Sequence, residues 1–196
     1  MTIAFDSNAK IFRSRYFWLF LIFTLFLLVR IWGLNLPYHQ DENSWLGFAS
    51  AGLKGLSDLP HPPLSGLIFV SAFHLFGSAH LRYLPFAVSI INFWLVFFLV
   101  RYRFSWNTAL WSLLFFSVGF YSVLASLMVD TDGQILPFFF LLSAISFYKW
   151  RDNEMVRRKI LWGGLLVLFI SLGFLTKASF IIAAGAIIFE FFYSKH

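Results

Sequence analysis

Apolar runs of membrane-spanning length constrain this chain more than any other feature. They cover Tyr16–Leu36, Leu64–Gly77, Tyr83–Val100, Trp106–Met128, Gly133–Trp150, Ile160–Thr176 and Ala178–Ser194. All but the second reach the roughly 17–25 residues a helix needs to cross a hydrocarbon core about 30 Å thick. The surrounding composition leaves no soluble alternative. Hydrophobic residues make up 60% of the 196 positions and charged ones 12%, against about a quarter charged in a soluble domain. The mean hydropathy is +0.77. A net charge of +6 does not indicate nucleic acid, because the cations sit in short loops between apolar runs rather than along one face. Cysteine is absent, which excludes disulfides and thiolate metal sites.

Lys10, Arg13 and Arg15 precede the first run as in a signal peptide, but no small-x-small cleavage site follows. The run is therefore expected to remain as an uncleaved first span. The second run decides the topology. It is about 14 residues long, interrupted by His74, and suits an interfacial helix better than a span. With a cytoplasmic N-terminus and this run not crossing, Arg101, Arg103 and the cluster Lys149, Arg151, Arg157, Arg158 and Lys159 all fall inside. If it crossed, they would all move outside, against the positive-inside rule. Aromatic residues agree: Tyr16, Trp18, Tyr102, Trp106, Tyr148, Trp150, Trp162 and Tyr193 mark the inner interface, and Trp32, Tyr38, Tyr83 and Tyr121 the outer one, while Trp94 and Trp111 fit less well.

The expected fold is all-α: a polytopic membrane helix bundle forming a single membrane domain over 1–196. It has about six transmembrane helices, at 16–36, 83–100, 106–128, 133–150, 160–176 and 178–194, with both termini cytoplasmic. The extracytoplasmic loop 37–82 carries two juxtamembrane helices. One surrounds Asn43–Ala49, with Asn43 or Ser44 as its cap. The other follows Pro62-Pro63, since proline is accepted in a first helical turn and turns its predecessor away from helix.

This topology gathers the acids Asp41, Glu42, Asp58, Asp130 and Asp132 on the outer face, with His61, His80, Arg30, Lys54, Arg82 and Lys177. Carboxylates there can deprotonate an acceptor hydroxyl or hold a divalent ion, and arginine or lysine can hold a phosphate. Asp132 suits a cap for the following helix, which leaves Asp130 as the better site candidate. Arg30, in the last turns of the first span, either snorkels to headgroups or pairs with an acid or lipid phosphate. The same two readings apply to Lys177. Glu190 has no evident partner.

The order of these pieces resembles the N-terminal half of the GT-C membrane glycosyltransferases, nearest the protein O-mannosyltransferase and aminoarabinose transferase group. The resemblance rests on Asp41-Glu42 after the first span and His61-Pro62-Pro63-Leu64 opening a helix that ends Leu75-Phe76-Gly77. It continues through Arg82-Tyr83-Leu84-Pro85, Asp130 after the third span, and Gly173-Phe174-Leu175-Thr176-Lys177. It implies an enzyme of the cell membrane that takes a sugar from a polyprenyl-phosphate donor and inverts the anomeric centre, with membrane lipids as its surroundings. By the same analogy Asp41 is the catalytic carboxylate, Glu42 supports its geometry and Asp130 is the second acid. Arg30, His61, Arg82 and Lys177 are the candidates for donor contact, and a divalent metal is a possible cofactor. Many aminoarabinose-type relatives have lysine where this chain has His61. Members usually carry about twice as many spans, so a C-terminal half or a membrane protein partner is expected. The competing classes are a non-catalytic membrane subunit and a transporter; the second calls for ionisable residues deep within the spans, where only Glu190 comes close.

Overall fold

The structure is a computed structural model that describes residues 14–54 and 62–193. His61 and Asp58 lie outside the described residues. Among the described residues every regular element is helical. They are α1 (Arg15–Ile31), α2 (Gln40–Ala51), α3 (Pro63–Phe76), α4 (Tyr83–Arg103), α5 (Trp106–Val118), α6 (Phe120–Leu127), α7 (Leu136–Asp152), α8 (Val156–Thr176) and α9 (Ile181–Tyr193). The chain is an all-α membrane helix bundle.

Length separates the spanning helices from the rest. Ser78–Arg103 and Val156–Thr176 are long and apolar enough to cross a membrane, and α5 with α6 makes a third if the bent pair is one span. α1 and α7 have 17 residues each, at the lower limit for a span. At 1.5 Å per residue, α3 is only about 21 Å long. It starts at Pro63 and stops at Gly77, whose φ of 73° is open to glycine and costly for other residues. Its buried face, Ser65, Phe69, Val70 and Ala72, has helical spacing and packs against α2 and α8.

Two apolar cores hold the helices together. Ile22 and Phe26 of α1, Phe93 and Phe97 of α4, and Ala109 and Leu113 of α5 form one. The other joins Trp45 and Ala49 of α2 to Phe69 and Ala72 of α3, with Val129, Ile135, Phe139 and Phe180. The amphipathic loop helices thus close over one end of the bundle. At the opposite end Glu190 meets Arg151 at 3.3 Å, a partner that its sequence surroundings do not reveal.

Two local features depart from the sequence-based expectation. The segment 106–128 is not one straight helix: α5 and α6 meet at Gly119 with a bend of 60°. Gly119 sits at ψ 124°, and a Cβ there would lie 2.8 Å from the Phe115 carbonyl oxygen. Only glycine fits that close approach. The first loop helix is also capped earlier than expected. It starts at Gln40 rather than near Asn43, with His39 as its cap. His39 Nδ1 accepts the Asp41 N–H at 3.3 Å and Glu42 Oε2 accepts the His39 N–H at 2.7 Å. This is the reciprocal capping box, with histidine in the place of serine or threonine.

Between α6 and α7 the chain runs extended through Met128 to Asp130 and then makes a π-helical turn over Thr131–Ile135. Irregular backbone that is buried, as Thr131, Gly133, Gln134 and Ile135 are, must be satisfied from within the protein. Asn92 Nδ2 supplies part of that, bonding the Gln134 carbonyl and side-chain oxygens at 2.9 Å each. Gly133 allows the turn to approach α6, since a Cβ would come within 2.7 Å of the Ala125 carbonyl oxygen.

Candidate active site at the loop end of the bundle

The site is built outward from Glu42. Its carboxylate is fully buried, on the same face of α2 as Trp45 and Ala49. A carboxylate there requires partners. Arg82, just before α4, supplies two: Nε donates to Oε1 at 2.9 Å and Nη2 to Oε2 at 2.5 Å. The backbone N–H of Val129 donates to Oε1 at 2.9 Å and that of His39 to Oε2. Burial by itself would raise the Glu42 carboxyl. The Arg82 hydrogen bonds and charge, together with the two N–H groups, outweigh it and hold the carboxyl below the usual glutamate range.

Arg82 is used completely. Its other donors reach the carbonyls of Gly33 at 3.4 Å, Leu36 at 2.5 Å and Pro37 at 2.8 Å. Its guanidinium also lies 4.8 Å from the centre of the Tyr38 ring. The Tyr38 hydroxyl accepts the Leu81 N–H at 3.1 Å and donates to the Ser78 carbonyl at 2.9 Å. One ion pair therefore ties together the end of α1, the start of α2, the start of α4 and the loop after α6. In sequence these pieces are 40 and 87 positions apart.

The candidate acids hang from this frame. Asp41 is adjacent to Glu42 but points away from it, with its side chain 80% exposed and 3.4 Å from His39 Nδ1. Asp130 is adjacent to Val129, the residue that Glu42 holds. Its Oδ1 accepts the Thr131 N–H at 2.6 Å, so the capping expected of Asp132 falls to Asp130. Asp132 instead forms an ion pair with Lys177, whose ammonium comes from the turn after α8. Lys177 is thus at the same end of the bundle, held by a carboxylate.

Arg30 lies elsewhere. It is fully buried among the ends of α1, α5 and α6. Nη1 donates to the carbonyls of Phe26 at 3.1 Å and Ser117 at 2.8 Å; Nη2 donates to the Phe116 carbonyl at 3.2 Å and the Ser122 hydroxyl at 3.0 Å. Its guanidinium lies 3.8 Å from the centre of the Phe26 ring. Neither expectation for this residue, headgroup snorkelling or an acidic partner, describes that setting. It closes the carbonyls that the Gly119 bend leaves open.

The structure thus brings Asp41, Glu42, Arg82 and Asp130 into one frame, with Asp132 and Lys177 paired at the same end. It places Arg30 in the bundle interior. The contributions of His39, Tyr38 and the Val129 N–H are not apparent in the sequence. One signal was available: Glu42, Trp45 and Ala49 share a helical stripe, which marks Glu42 rather than Asp41 as the inward acid. Backbone donors leave no such trace. Among the described residues, no group of three or more histidine, aspartate or glutamate side chains comes together in a way that could hold a metal ion.

Comparison with known proteins adds one match. A sequence model for dolichyl-phosphate-mannose-protein mannosyltransferases fits residues 60–196. No curated protein and no solved structure matches the chain. Arg82, Asp130 and Lys177 lie inside the matched stretch, while Arg30, Asp41 and Glu42 precede it. The buried Glu42–Arg82 pair joins the two parts physically, and the match covers more than half of the chain. This integral membrane protein belongs to the dolichyl-phosphate-mannose-protein mannosyltransferase family.

Proposed function

We propose that the chain is a membrane glycosyltransferase, or the N-terminal module of one, that moves a sugar from a polyprenyl-phosphate donor to an acceptor on the extracytoplasmic face. The observation that carries this reading is the hydrogen bond from the Val129 N–H to Glu42 Oε1 at 2.9 Å. It puts the residues bearing the Asp41 and Asp130 carboxylates on either side of one buried anchor. In the proposed reaction an acceptor hydroxyl attacks the anomeric carbon as the bond to the phosphate oxygen breaks. The hydroxyl proton passes to the Asp41 carboxylate, and polyprenyl phosphate leaves with the bonding electrons. Asp130 provides the second polar contact at this end. Lys177 is the cation best placed to meet the lipid phosphate, exchanging Asp132 for it. Glu42 and Arg82 are positioning residues, since their polar atoms are engaged within the chain.

Asp41→Asn keeps the size of the side chain and removes the base. General-base catalysis contributes about 10²–10⁴-fold, so sugar transfer by the active assembly containing this chain is expected to fall at least about 100-fold. The assay follows radiolabelled mannose from a polyprenyl-phosphate donor. Transfer unchanged by the substitution removes Asp41 from the mechanism.

The sidedness rests on charge. Arg101, Arg103 and the basic residues from Lys149 to Lys159 cluster away from the acidic end, which the positive-inside rule puts in the cytoplasm. The chain has no cysteine, so single Asn43→Cys and Met155→Cys variants report cleanly. An impermeant maleimide added to intact cells is expected to label position 43 and spare position 155. The reverse pattern would invert the topology.

A further inference from the structure

A recess lies at the end of the bundle opposite the candidate site. Arg82 and Arg101 bracket α4, and 19 residues of helix separate them by roughly 28 Å. There α4, α7 and α8 line a cleft of about 780 Å³, within the 300–1,000 Å³ range of small-molecule sites. Its walls are apolar, formed by Leu95, Phe98, Leu142, Ile145 and Leu165. Its polar lining includes Arg101, Tyr102, Lys149 and Ser146, with Trp162 beside them.

Two independent observations say what such a cleft accepts. The first is how the cations are paired. Arg103 meets Asp152 at 3.5 Å, and Arg151 meets both Asp152 at 3.0 Å and Glu190 at 3.3 Å. Arg101 and Lys149, which line the cleft, have no carboxylate within ion-pair distance among the described residues. Each rests against a ring instead: Arg101 lies 5.4 Å from the centre of Trp106, and Lys149 4.0 Å from that of Tyr102. Asp152 and Glu190 thus pair with the two arginines outside the cleft, Asp152 also accepting the Tyr102 hydroxyl at 2.9 Å, and neither cation lining the cleft has a carboxylate of its own. The second observation is Ser146. It is 1% exposed, lines the cleft, and its hydroxyl has no hydrogen-bond partner. A buried polar group of this kind ordinarily has one.

We propose that this cleft is a binding site for an anionic phospholipid, with acyl chain between α4, α7 and α8 and phosphate at Arg101 and Lys149. Basic recesses between transmembrane helices bind anionic headgroups in this way. The long stems of Arg101 and Lys149 follow the apolar wall while their charged ends remain at its edge. The Ser146 hydroxyl meets an ester oxygen near the top of the chain. The proposal does not depend on the sugar-transfer reading, because the two sites occupy opposite ends of α4.

The test is native mass spectrometry of the full chain, delipidated in detergent and titrated with phosphatidylglycerol or phosphatidylcholine of matched acyl chains. Phosphatidylglycerol is expected to bind at least tenfold more tightly, one molecule per chain. The double variant Arg101→Gln/Lys149→Gln is expected to bring the two lipids within twofold of each other. Arg101→Lys/Lys149→Arg, which keeps both charges, is expected to retain the preference. Equal binding of the two lipids by the unmodified chain would overturn the proposal, and that comparison needs no variant to fold. A preference that survives the double glutamine change would also overturn it. So would displacement of phosphatidylglycerol by equimolar polyprenyl phosphate, which would assign the cleft to the donor. Occupation by a helix of a second membrane protein, seen as a stable complex that binds neither lipid, would overturn it as well.

Discussion

Glu42→Ala is expected to cost the folded chain about 3–5 kcal/mol, the usual penalty for removing one partner of a buried ion pair. The loss is large because three groups are stranded together. The Arg82 guanidinium stays buried with two of its donors unpaired, and the N–H groups of Val129 and His39 lose their acceptor. The measurement is thermal unfolding in detergent, followed by the monodisperse fraction on size-exclusion chromatography. The pair is also expected to be coupled. Glu42→Leu/Arg82→Met removes both charges and should cost less than the sum of the two single changes, although the carbonyls and N–H groups that the pair serves stay unpaired. A Glu42→Ala chain that melts with the unmodified protein would show that the pair does not hold the loop end together. pH reports on the same carboxyl. Its folded pKa is depressed, so its stabilisation is fully present above the ordinary glutamate value of about 4.3. It is lost as the pH falls below that value through the folded pKa.

Arg30→Ala is the second large effect, expected at about 3 kcal/mol or more from the carbonyls left unsatisfied at roughly 1–3 kcal/mol each. The physical reason lies in the bend. Where α5 stops at Gly119, its last carbonyls lose the donors a continuing helix would provide. They also carry the negative end of the helix dipole, which favours a cation. Arg30 answers both needs, bonding Phe116 and Ser117 of α5 and Ser122 of α6 from one planar group. For that reason Arg30→Lys should recover little, because a single ammonium cannot reach acceptors spread over two helices. The control is Ser122→Ala, which removes one of these acceptors and is expected to cost about 1 kcal/mol. Arg30→Lys unfolding at the temperature of the unmodified chain would show that charge alone suffices and that the fork geometry is irrelevant.

Comparing these two arginines shows what a linear reading can reach. Both were legible as costly charges next to apolar runs, and both were expected at an outer site facing lipid phosphate. Arg82 is at that end, but its donors are taken by Glu42 and by three carbonyls. Arg30 is inside the bundle, at a bend for which the sequence offers only a glycine within an apolar run. Neither setting follows from local pattern, because every partner but the Phe26 carbonyl is 40 to 92 positions away. The short helix α3 is the opposite case. Pro62-Pro63 opens it, Gly77 closes it, and 14 residues cannot reach across a bilayer. All three are local facts.

The acidic end of the bundle was legible only in outline. Asp41 and Glu42 are adjacent and chemically alike, yet one is 80% exposed and the other is sealed beneath α2. Capping by His39 sets where α2 begins, and that start turns Glu42 inward with Trp45 and Ala49. Helix type, approximate helix ends and the separation of acidic from basic ends are fixed by hydrophobic length and charge position, which a sequence carries residue by residue. Which charges are spent on holding the fold, and which remain free to meet a substrate or a lipid, depends on hydrogen bonds between helices distant along the chain. That was decided by the packing that brings Arg82 and Val129 to Glu42, and the open carbonyls at Gly119 to Arg30.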